Sequence, residues 1–259
     1  MDLLFNPTLY WSVVGIMAVL AFVVFFALQR VTAGYGMMYD RRWGIAIDNR
    51  IGCVAMEAPV FIAMAFLWIM SPRRAEIAPA VMASLFMLHY FQRSFIFPFL
   101  IRGKSRMPLM IIAMGVVFNL VNAYMIGGWI FYVSPADVYP ATWLVSPLFI
   151  LGTVVFMAGM VINWQSDRIV RHLRKPGDTR HYIPRGGMFR FVTSANYFGE
   201  FTEWMGFAIL TWSAAGAVFA LWTFANLAPR AVSIHRRYIN EFGSEYSSLN
   251  RRYILPFIY

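Results

Sequence analysis

The succession of long apolar runs constrains this chain more than any other feature of its sequence. Each run is long enough, as a helix, to cross roughly 30 Å of hydrocarbon, which takes about 20 residues. Hydrophobic residues make up 60% of the chain and charged residues only 13%. Because lipid offers no hydrogen-bonding partners, the backbone of each run must satisfy its own polar groups as a helix. The sequence therefore predicts an all-α integral membrane protein, with runs near residues 10–29, 51–70, 79–101, 107–133 and 141–165.

The distribution of basic residues predicts the orientation of these runs. Connections rich in lysine and arginine belong on the inner side of a membrane. Four arginines lie within residues 30–50, three basic residues within 102–106 and seven within 167–191, whereas the connection after the second run carries Arg73 and Arg74. We therefore expect the N-terminus outside, and the loop after the fifth run in the cytosol.

The region 197–227 determines the number of crossings. The tail beyond Arg230 is as basic as the inner loops, so an even number of crossings must separate it from Glu203. Residues 213–216 offer a short outer turn between two helices. The sequence therefore predicts seven transmembrane helices, a cytosolic C-terminus and one membrane domain over residues 1–259, in a bacterial inner membrane or the endoplasmic reticulum.

The composition excludes several functional classes. The single cysteine, Cys53, rules out an internal disulfide and any zinc or iron–sulfur site built from cysteines, so no metal site is expected. No G-x-G-x-x-G follows a predicted strand, so a dinucleotide would not bind through a Rossmann fold. The basic residues that produce the net charge of +10 lie in short segments between the apolar runs, which indicates membrane topology and not nucleic-acid binding.

One polar stretch, residues 163–203, interrupts the apolar pattern. If its ends are helical, two sets of polar side chains each share one helix face. The first set, spaced i, i+4, i+8 and i+11, consists of Asn163, Asp167, Arg171 and Arg174. The second set, spaced i, i+4 and i+7, consists of Asn196, Glu200 and Glu203. With four basic residues in 171–180, the stretch predicts a site for an anionic ligand such as a phosphorylated nucleotide. The alternative is an ordinary basic collar on the inner membrane surface.

Ionisable residues within the apolar runs mark a second candidate site. Glu57 is the only charge of the second run, and Arg93 lies in the third run near His89 and Tyr90. Such groups are costly in hydrocarbon and by default indicate a functional cavity. A carboxylic acid with little water around it stays protonated, so Glu57 and Tyr90 would form two donors for a carbonyl oxygen. Such a pair would stabilise the enolate formed when hydride adds to a conjugated enone. A lone histidine on an apolar helix, such as His89, is more often a structural residue.

Seven short motifs, taken together, are more specific than any one of them. They are Leu88-His-Tyr-Phe-Gln-Arg93, Asn163-x-x-x-Asp167, Leu173-Arg-Lys-Pro-Gly177, Ile183-Pro-Arg-Gly-Gly187, Ala195-Asn-Tyr-Phe-Gly-Glu200, Glu203-Trp204 and Leu255-Pro-Phe-Ile-Tyr259. From about Tyr35 to the C-terminus the chain resembles the steroid 5α-reductase (3-oxo-5α-steroid 4-dehydrogenase) family, and we expect a bacterial member of it. The resemblance implies a seven-span enzyme that uses NADPH to reduce the Δ4 double bond of a 3-oxo steroid.

The resemblance also implies roles for individual residues. Glu57 and Tyr90, which lie in the first three spans (1–106), match the pair that holds the 3-keto oxygen in that family. The NADPH site is expected within residues 107–259. The residues predicted to bind NADPH are Asn163, Asp167, Arg171, Arg174, Asn196, Glu200, Tyr238 and Arg93, together with Arg102, Lys104 and His235. Lys104 departs from the family pattern by replacing an arginine, which weakens a bidentate phosphate contact. The histidine-rich stretch is thinned around His235, and Gln92 and His181 also differ from the pattern.

Three other functions stay open on the sequence alone. Reduction of a 2-enoyl thioester is a related chemistry, and an isoprenylcysteine-type membrane methyltransferase has a distantly similar C-terminal region but would bind S-adenosylmethionine. A transporter or lipid-binding protein is the non-enzymatic alternative, although we find no inverted repeat to favour transport. The expected partners are a lipophilic steroid and the bilayer, and a monomer is compatible with the sequence.

Overall fold

Most of the described residues of the protein are helical. The computed structural model describes residues 3–102, 105–173, 178 and 180–259. Within them a π-helical turn (Gln92–Ile96) joins α3 to α4, and a second one (Trp129–Val133) extends α5. The helices are α1 (Pro7–Leu28), α2 (Asn49–Met70), α3 (Ile77–Phe91), α4 (Phe97–Leu100), α5 (Leu109–Gly128), α6 (Pro147–His172), α7 (Ala195–Thr211), α8 (Ala214–Phe242) and α9 (Ser244–Ser247).

Five of these helices are long and apolar enough to cross a membrane. They are α1, α2, α6, α8, and α5 with its π-helical extension. Helix α3 has 15 residues and α7 has 17, so each alone is shorter than a crossing, although α3 continues through the π-helical turn into α4. The prediction of an all-α, multi-pass membrane protein is confirmed, and the count of seven crossings stays a prediction.

Two predicted boundaries are displaced by local capping. The fifth run was expected to begin near residue 141, but Ala141–Val145 forms a short 3₁₀ helix and α6 starts only after Ser146, whose side chain caps it. The outer turn was expected over 213–216, but the break between α7 and α8 is shorter. The Ser213 hydroxyl accepts a hydrogen bond from the Gly216 N–H at 3.1 Å and starts α8 immediately.

Two short strands join the loops that follow α1 and α4. Strand β1 (Ala46–Asp48) pairs antiparallel with β2 (Arg106–Pro108). Beside them, Arg50 donates to the carbonyl oxygen of Ile101 at 2.6 Å. These bonds hold the entry to α2 next to the entry to α5, which places the two helices side by side.

Four glycines let α6 and α7 meet backbone to backbone, and we call their contact the α6–α7 glycine seam. Gly152 and Gly159 are seven residues apart on α6, and Gly199 and Gly206 are seven apart on α7. A Cβ atom added to Gly159 would lie 2.7 Å from the Gly199 oxygen, and one added to Gly206 would lie 2.7 Å from the Gly152 oxygen. Side chains do not approach backbone that closely, so a larger residue fits only if the helices separate.

A buried arginine fixes the loop after α1 against the first turn of α7 and the middle of α8. Arg230 donates from Nε to the Tyr197 hydroxyl and from its two terminal nitrogens to the carbonyl oxygens of Ala33 and Tyr35, each at 2.9 Å. Its guanidinium also stacks 3.7 Å from the Tyr35 ring centroid. This arginine is therefore structural, and it holds Tyr35 within electrostatic reach of Glu200.

The glycine seam yields a stability prediction. Gly159→Ala should destabilise the protein by about 1–3 kcal/mol, because overpacking at a close helix contact forces the backbones apart. Thermal unfolding of the purified protein in detergent measures this. Gly15→Ala is the matched control, since a Cβ at Gly15 on α1 meets no atom within 4 Å. Equal melting temperatures of the two variants would contradict the proposed seam.

Candidate active site

The predicted donor pair lies between α2, α3 and α5. Tyr90 is buried, and its hydroxyl accepts a hydrogen bond from Asn122 Nδ2 at 3.3 Å. Glu57 is half-buried, and its Oε2 accepts from Asn119 Nδ2 at 3.4 Å. The two groups are close enough to interact electrostatically. Helix α5 thus presents two amides to a carboxyl group and a phenol that are 33 residues apart in the chain.

Arg93 links this pair to the polar end of α6. It lies in the π-helical turn after α3, an irregularity that often occurs at functional sites. Its guanidinium is 3.8 Å from Asp167 Oδ2 and 4.5 Å from the Phe97 ring centroid. Arg93 also interacts electrostatically with Glu57 and Glu200. A single cation therefore faces acidic groups from α2, α6 and α7.

The two predicted polar stripes face each other across the end of the glycine seam. Asn163 Nδ2 donates to the Asn196 carbonyl oxygen at 2.9 Å, and Asn196 Nδ2 donates to Asp167 Oδ1 at 3.2 Å. The other oxygen, Asp167 Oδ2, is buried and has no hydrogen-bond partner among the described residues. Four predicted residues, Asn163, Asp167, Asn196 and Glu200, are thereby brought together with Arg93.

His89 and Glu203 form a buried pair next to this network. His89 Nδ1 is 2.8 Å from Glu203 Oε1, and the side chains are 6% and 1% exposed. The histidine ring packs edge-on against Trp204 with centroids 4.6 Å apart. His89 therefore has the partner expected of a structural histidine, and the carboxylate of Glu203, predicted as part of the second stripe, is already engaged.

The predicted basic residues are only partly described. Arg171 lies in the last turn of α6, within electrostatic reach of Asp167. Arg102 is exposed, and its guanidinium is 3.4 Å from His172 Nε2. Arg174 and Lys104 lie outside the described residues, so their predicted contacts stay predictions.

One basic residue of the loop after α6 is paired within the loop. Arg180 donates to Asp178 through its backbone N–H at 2.9 Å and its Nε at 3.2 Å. The Tyr182 hydroxyl donates to the same carboxylate at 2.6 Å. These donors, with Arg180 first, hold the pKa of the Asp178 carboxyl well below its usual range. The charge of Arg180 is therefore partly compensated, unlike that of a free collar residue.

His235 and Tyr238 lie in a cluster with the C-terminal tail. His235 Nδ1 is 2.6 Å from Thr193 Oγ1, which in turn is 2.7 Å from the Tyr246 hydroxyl. The Tyr238 ring packs 5.1 Å from that of Tyr246. The tail is anchored here because the Thr193 N–H donates to the Arg252 oxygen at 2.8 Å. Both predicted residues thus pack near the N-terminus of α7, where Asn196 lies.

Three residues at the site were not anticipated from the sequence. Asn119 and Asn122 contact the donor pair, and the signal for them is two amides spaced i, i+3 within an otherwise apolar run. Arg251 was predicted to be part of the basic tail, yet it is buried. Its Nε and one terminal nitrogen have no hydrogen-bond partner among the described residues. Burial lowers the pKa of this guanidinium from its usual value. Nothing in the sequence distinguishes Arg251 from its exposed neighbour Arg252.

Comparison with known proteins identifies the family. The family model described as 3-oxo-5-alpha-steroid 4-dehydrogenase matches residues 105–259. The mouse (Mus musculus) protein named 3-oxo-5-alpha-steroid 4-dehydrogenase 1 is 39% identical over 242 residues, covering 92% of this chain and 92% of the relative. The human (Homo sapiens) protein of that name is 42% identical over 189 residues, covering 73% and 71%.

A plant protein is similar over almost the whole length. The tomato (Solanum lycopersicum) protein named Steroid 5-alpha-reductase DET2 is 34% identical over 258 residues, covering 98% of each chain. The similarity therefore includes the first two helices, with Glu57, as well as the part matched by the family model. This chain belongs to the 3-oxo-5-alpha-steroid 4-dehydrogenase family.

Proposed function

We propose that this protein is an NADPH-dependent reductase of the Δ4 double bond of 3-oxo-Δ4-steroids. The observation that supports this best is the pair Glu57 and Tyr90, held by two amides inside an apolar helical bundle. A lipophilic substrate with a conjugated carbonyl group matches such a pair. Family membership supports the same reaction, since the similar proteins are named 3-oxo-5-alpha-steroid 4-dehydrogenase or Steroid 5-alpha-reductase.

The polar groups around α6 and α7 fit a nicotinamide dinucleotide. Asp167 Oδ2 and the Ser194 hydroxyl are buried without hydrogen-bond partners among the described residues, so they retain capacity for ribose or amide groups. Unpartnered nitrogens of Arg251 suit a phosphate, to which arginine binds through charge-assisted hydrogen bonds. The proposed NADPH-binding residues are Asn163, Asp167, Arg171, Arg174, Asn196, Glu200, Tyr238 and Arg93, with Arg102, Lys104 and His235. When bound, NADPH supplies the hydride.

Glu57 and Tyr90 act on the carbonyl oxygen of the substrate. Reduction at the β-carbon moves negative charge onto that oxygen, and two donors aimed at it stabilise the charge. Aromatic rings pack around Tyr90, with Phe86 at 4.8 Å and Trp204 at 5.8 Å between centroids. These rings exclude water, and electrostatic interactions are stronger in such surroundings than in water.

The proposed topology has seven crossings, with the N-terminus outside and the tail in the cytosol. In it α3 and α4 together form the third crossing and α7 forms the sixth. This arrangement places the loop after α6 and the tail on one side, so both contribute to one cofactor site. The membrane is a bacterial inner membrane or the endoplasmic reticulum, and a bacterial origin stays a prediction.

The first functional prediction concerns the donor pair. Glu57→Leu and Tyr90→Phe should each lower kcat by about a hundredfold to a thousandfold, as removal of one oxyanion donor does. Glu57→Gln, which keeps a weaker donor, should be intermediate. The measurement is turnover of a 3-oxo-Δ4-steroid, with NADPH affinity determined on the same purified preparations. Normal turnover of Glu57→Leu would remove Glu57 from the mechanism, and loss of NADPH affinity would reassign it to structure.

The second functional prediction concerns the cofactor. Arg171→Ala and Arg174→Ala should raise KM for NADPH more than KM for the steroid, and should reduce the preference for NADPH over NADH, because these arginines pair with phosphates. Arg168→Ala is the matched control, since Arg168 carries the same charge on an exposed face of α6. Equal losses with NADPH and NADH would show that neither arginine recognises the 2′-phosphate. Binding of S-adenosylmethionine instead would favour a methyltransferase.

Cysteine labelling tests the topology. On a Cys53→Ala background, Arg180→Cys and Ser247→Cys should react with an impermeant thiol reagent from the same side, and Asp137→Cys from the other side. All three positions are exposed, so burial does not limit their reaction. Reaction of Arg180→Cys and Ser247→Cys from opposite sides would rule out two crossings between them.

A further inference from the structure

Helix α5 carries two buried amides in an otherwise apolar helix. Asn119 and Asn122 are 5% and 0% exposed, and the helix contains no charged residue. Residues three apart lie on the same side of a helix, so both amides face α2 and α3. Burying an amide in a membrane protein is unfavourable unless its groups are hydrogen-bonded, so these positions require an explanation beyond packing.

Each amide contacts one member of the donor pair. Asn119 Nδ2 lies 2.7 Å from the Met56 carbonyl oxygen and 3.4 Å from Glu57 Oε2. Asn122 Nδ2 lies 3.3 Å from the Tyr90 hydroxyl oxygen. Asn122 Oδ1 is buried and has no hydrogen-bond partner among the described residues.

We propose that Asn119 and Asn122 are positioning residues that set the direction in which Glu57 and Tyr90 donate. This inference rests on the proposed function. A phenol has one hydrogen to donate, and when its oxygen accepts from Asn122 that hydrogen stays available for the substrate carbonyl. In the same way, Asn119 occupies one carboxyl oxygen of Glu57 and leaves the other for the substrate. Preorganised donors of this kind need a supporting shell that fixes their geometry.

The unpartnered Asn122 oxygen distinguishes this role from a structural one. A buried acceptor without a partner destabilises the fold, whereas an apolar residue of similar shape at that position is nearly neutral or stabilising. If Asn122 were only structural, Asn122→Leu would therefore leave the stability of the fold unchanged or raise it, without loss of function. A positioning asparagine loses activity on the same replacement although the fold is as stable or more stable.

The first test compares activity and stability of two variants. Asn122→Leu and Asn119→Leu should each lower kcat about tenfold, the effect of losing one hydrogen bond that orients a donor. KM for NADPH should be unchanged, and the melting temperature of Asn122→Leu should be unchanged or higher. Val117→Ala, an exposed position on the same helix, is the control for α5 and should turn over normally. Normal kcat in both leucine variants would overturn the inference.

The second test is a double-mutant cycle with the donors. Asn122 acts through the Tyr90 hydroxyl, so Asn122→Leu should cause no further loss in a Tyr90→Phe background, and likewise Asn119→Leu in a Glu57→Leu background. Multiplicative losses would overturn the inference. Asn122→Asp, whose carboxylate accepts the phenol hydrogen, should lose at least as much kcat as Asn122→Leu.

The variants distinguish loss of the positioning role from loss of the donor pair. If Tyr90→Phe is impaired and Asn122→Leu turns over normally, the positioning role is wrong while the proposed donor pair stands. If Tyr90→Phe itself turns over normally, the donor pair is wrong, and the positioning role is overturned with it.

Discussion

The backbone contact between α6 and α7 is the constraint on which the polar site depends. Without Cβ atoms at Gly159 and Gly199, the two helices approach until backbone meets backbone. Asn163 and Asn196 then lie close enough for a direct hydrogen bond of 2.9 Å. Helix association in lipid cannot rely on the hydrophobic effect, so small residues and interhelical hydrogen bonds must supply it. Here the same contact both assembles the bundle and aligns the stripes proposed to hold the cofactor.

Arg93 makes the two halves of the site one electrostatic unit. Each acidic group in this region would be costly to bury alone, and the cation interacts with Glu57, Asp167 and Glu200 from three different helices. Arg93 lies three residues after Tyr90, in the π-helical turn that follows α3. The proposed carbonyl-binding pair and the proposed cofactor stripes are consequently joined through one side chain.

Features governed by one physical rule could be predicted from the sequence, whereas features that depend on burial could not. Lipid forces apolar runs to be helices, so the membrane class and most of the runs could be predicted, as could the helical alignment of Asn163 with Asp167. Capping by Ser146 and Ser213 shifted the boundaries, because a single hydroxyl outweighs the apolar pattern at a helix end. Arg251 resembles Arg252 in sequence, and only the fold buries one and exposes the other. The contacts of Glu57 with Asn119 required knowing that α5 packs against α2.

The proposed reaction changes the charge of the substrate at one point only, its carbonyl oxygen. Apolar contacts to the hydrocarbon rings of a steroid would bind an enone and its reduced product about equally, and binding that does not change along the reaction lowers KM without raising kcat. Rate acceleration must therefore come from the one place where charge changes, the carbonyl oxygen. A donor pair can supply it only if its hydrogens already point there before charge develops, since reorientation during the reaction would consume the gain. Because hydrocarbon offers no hydrogen-bonding partners, such a pair needs side chains as its supports, and two amides on one face of α5 meet that requirement.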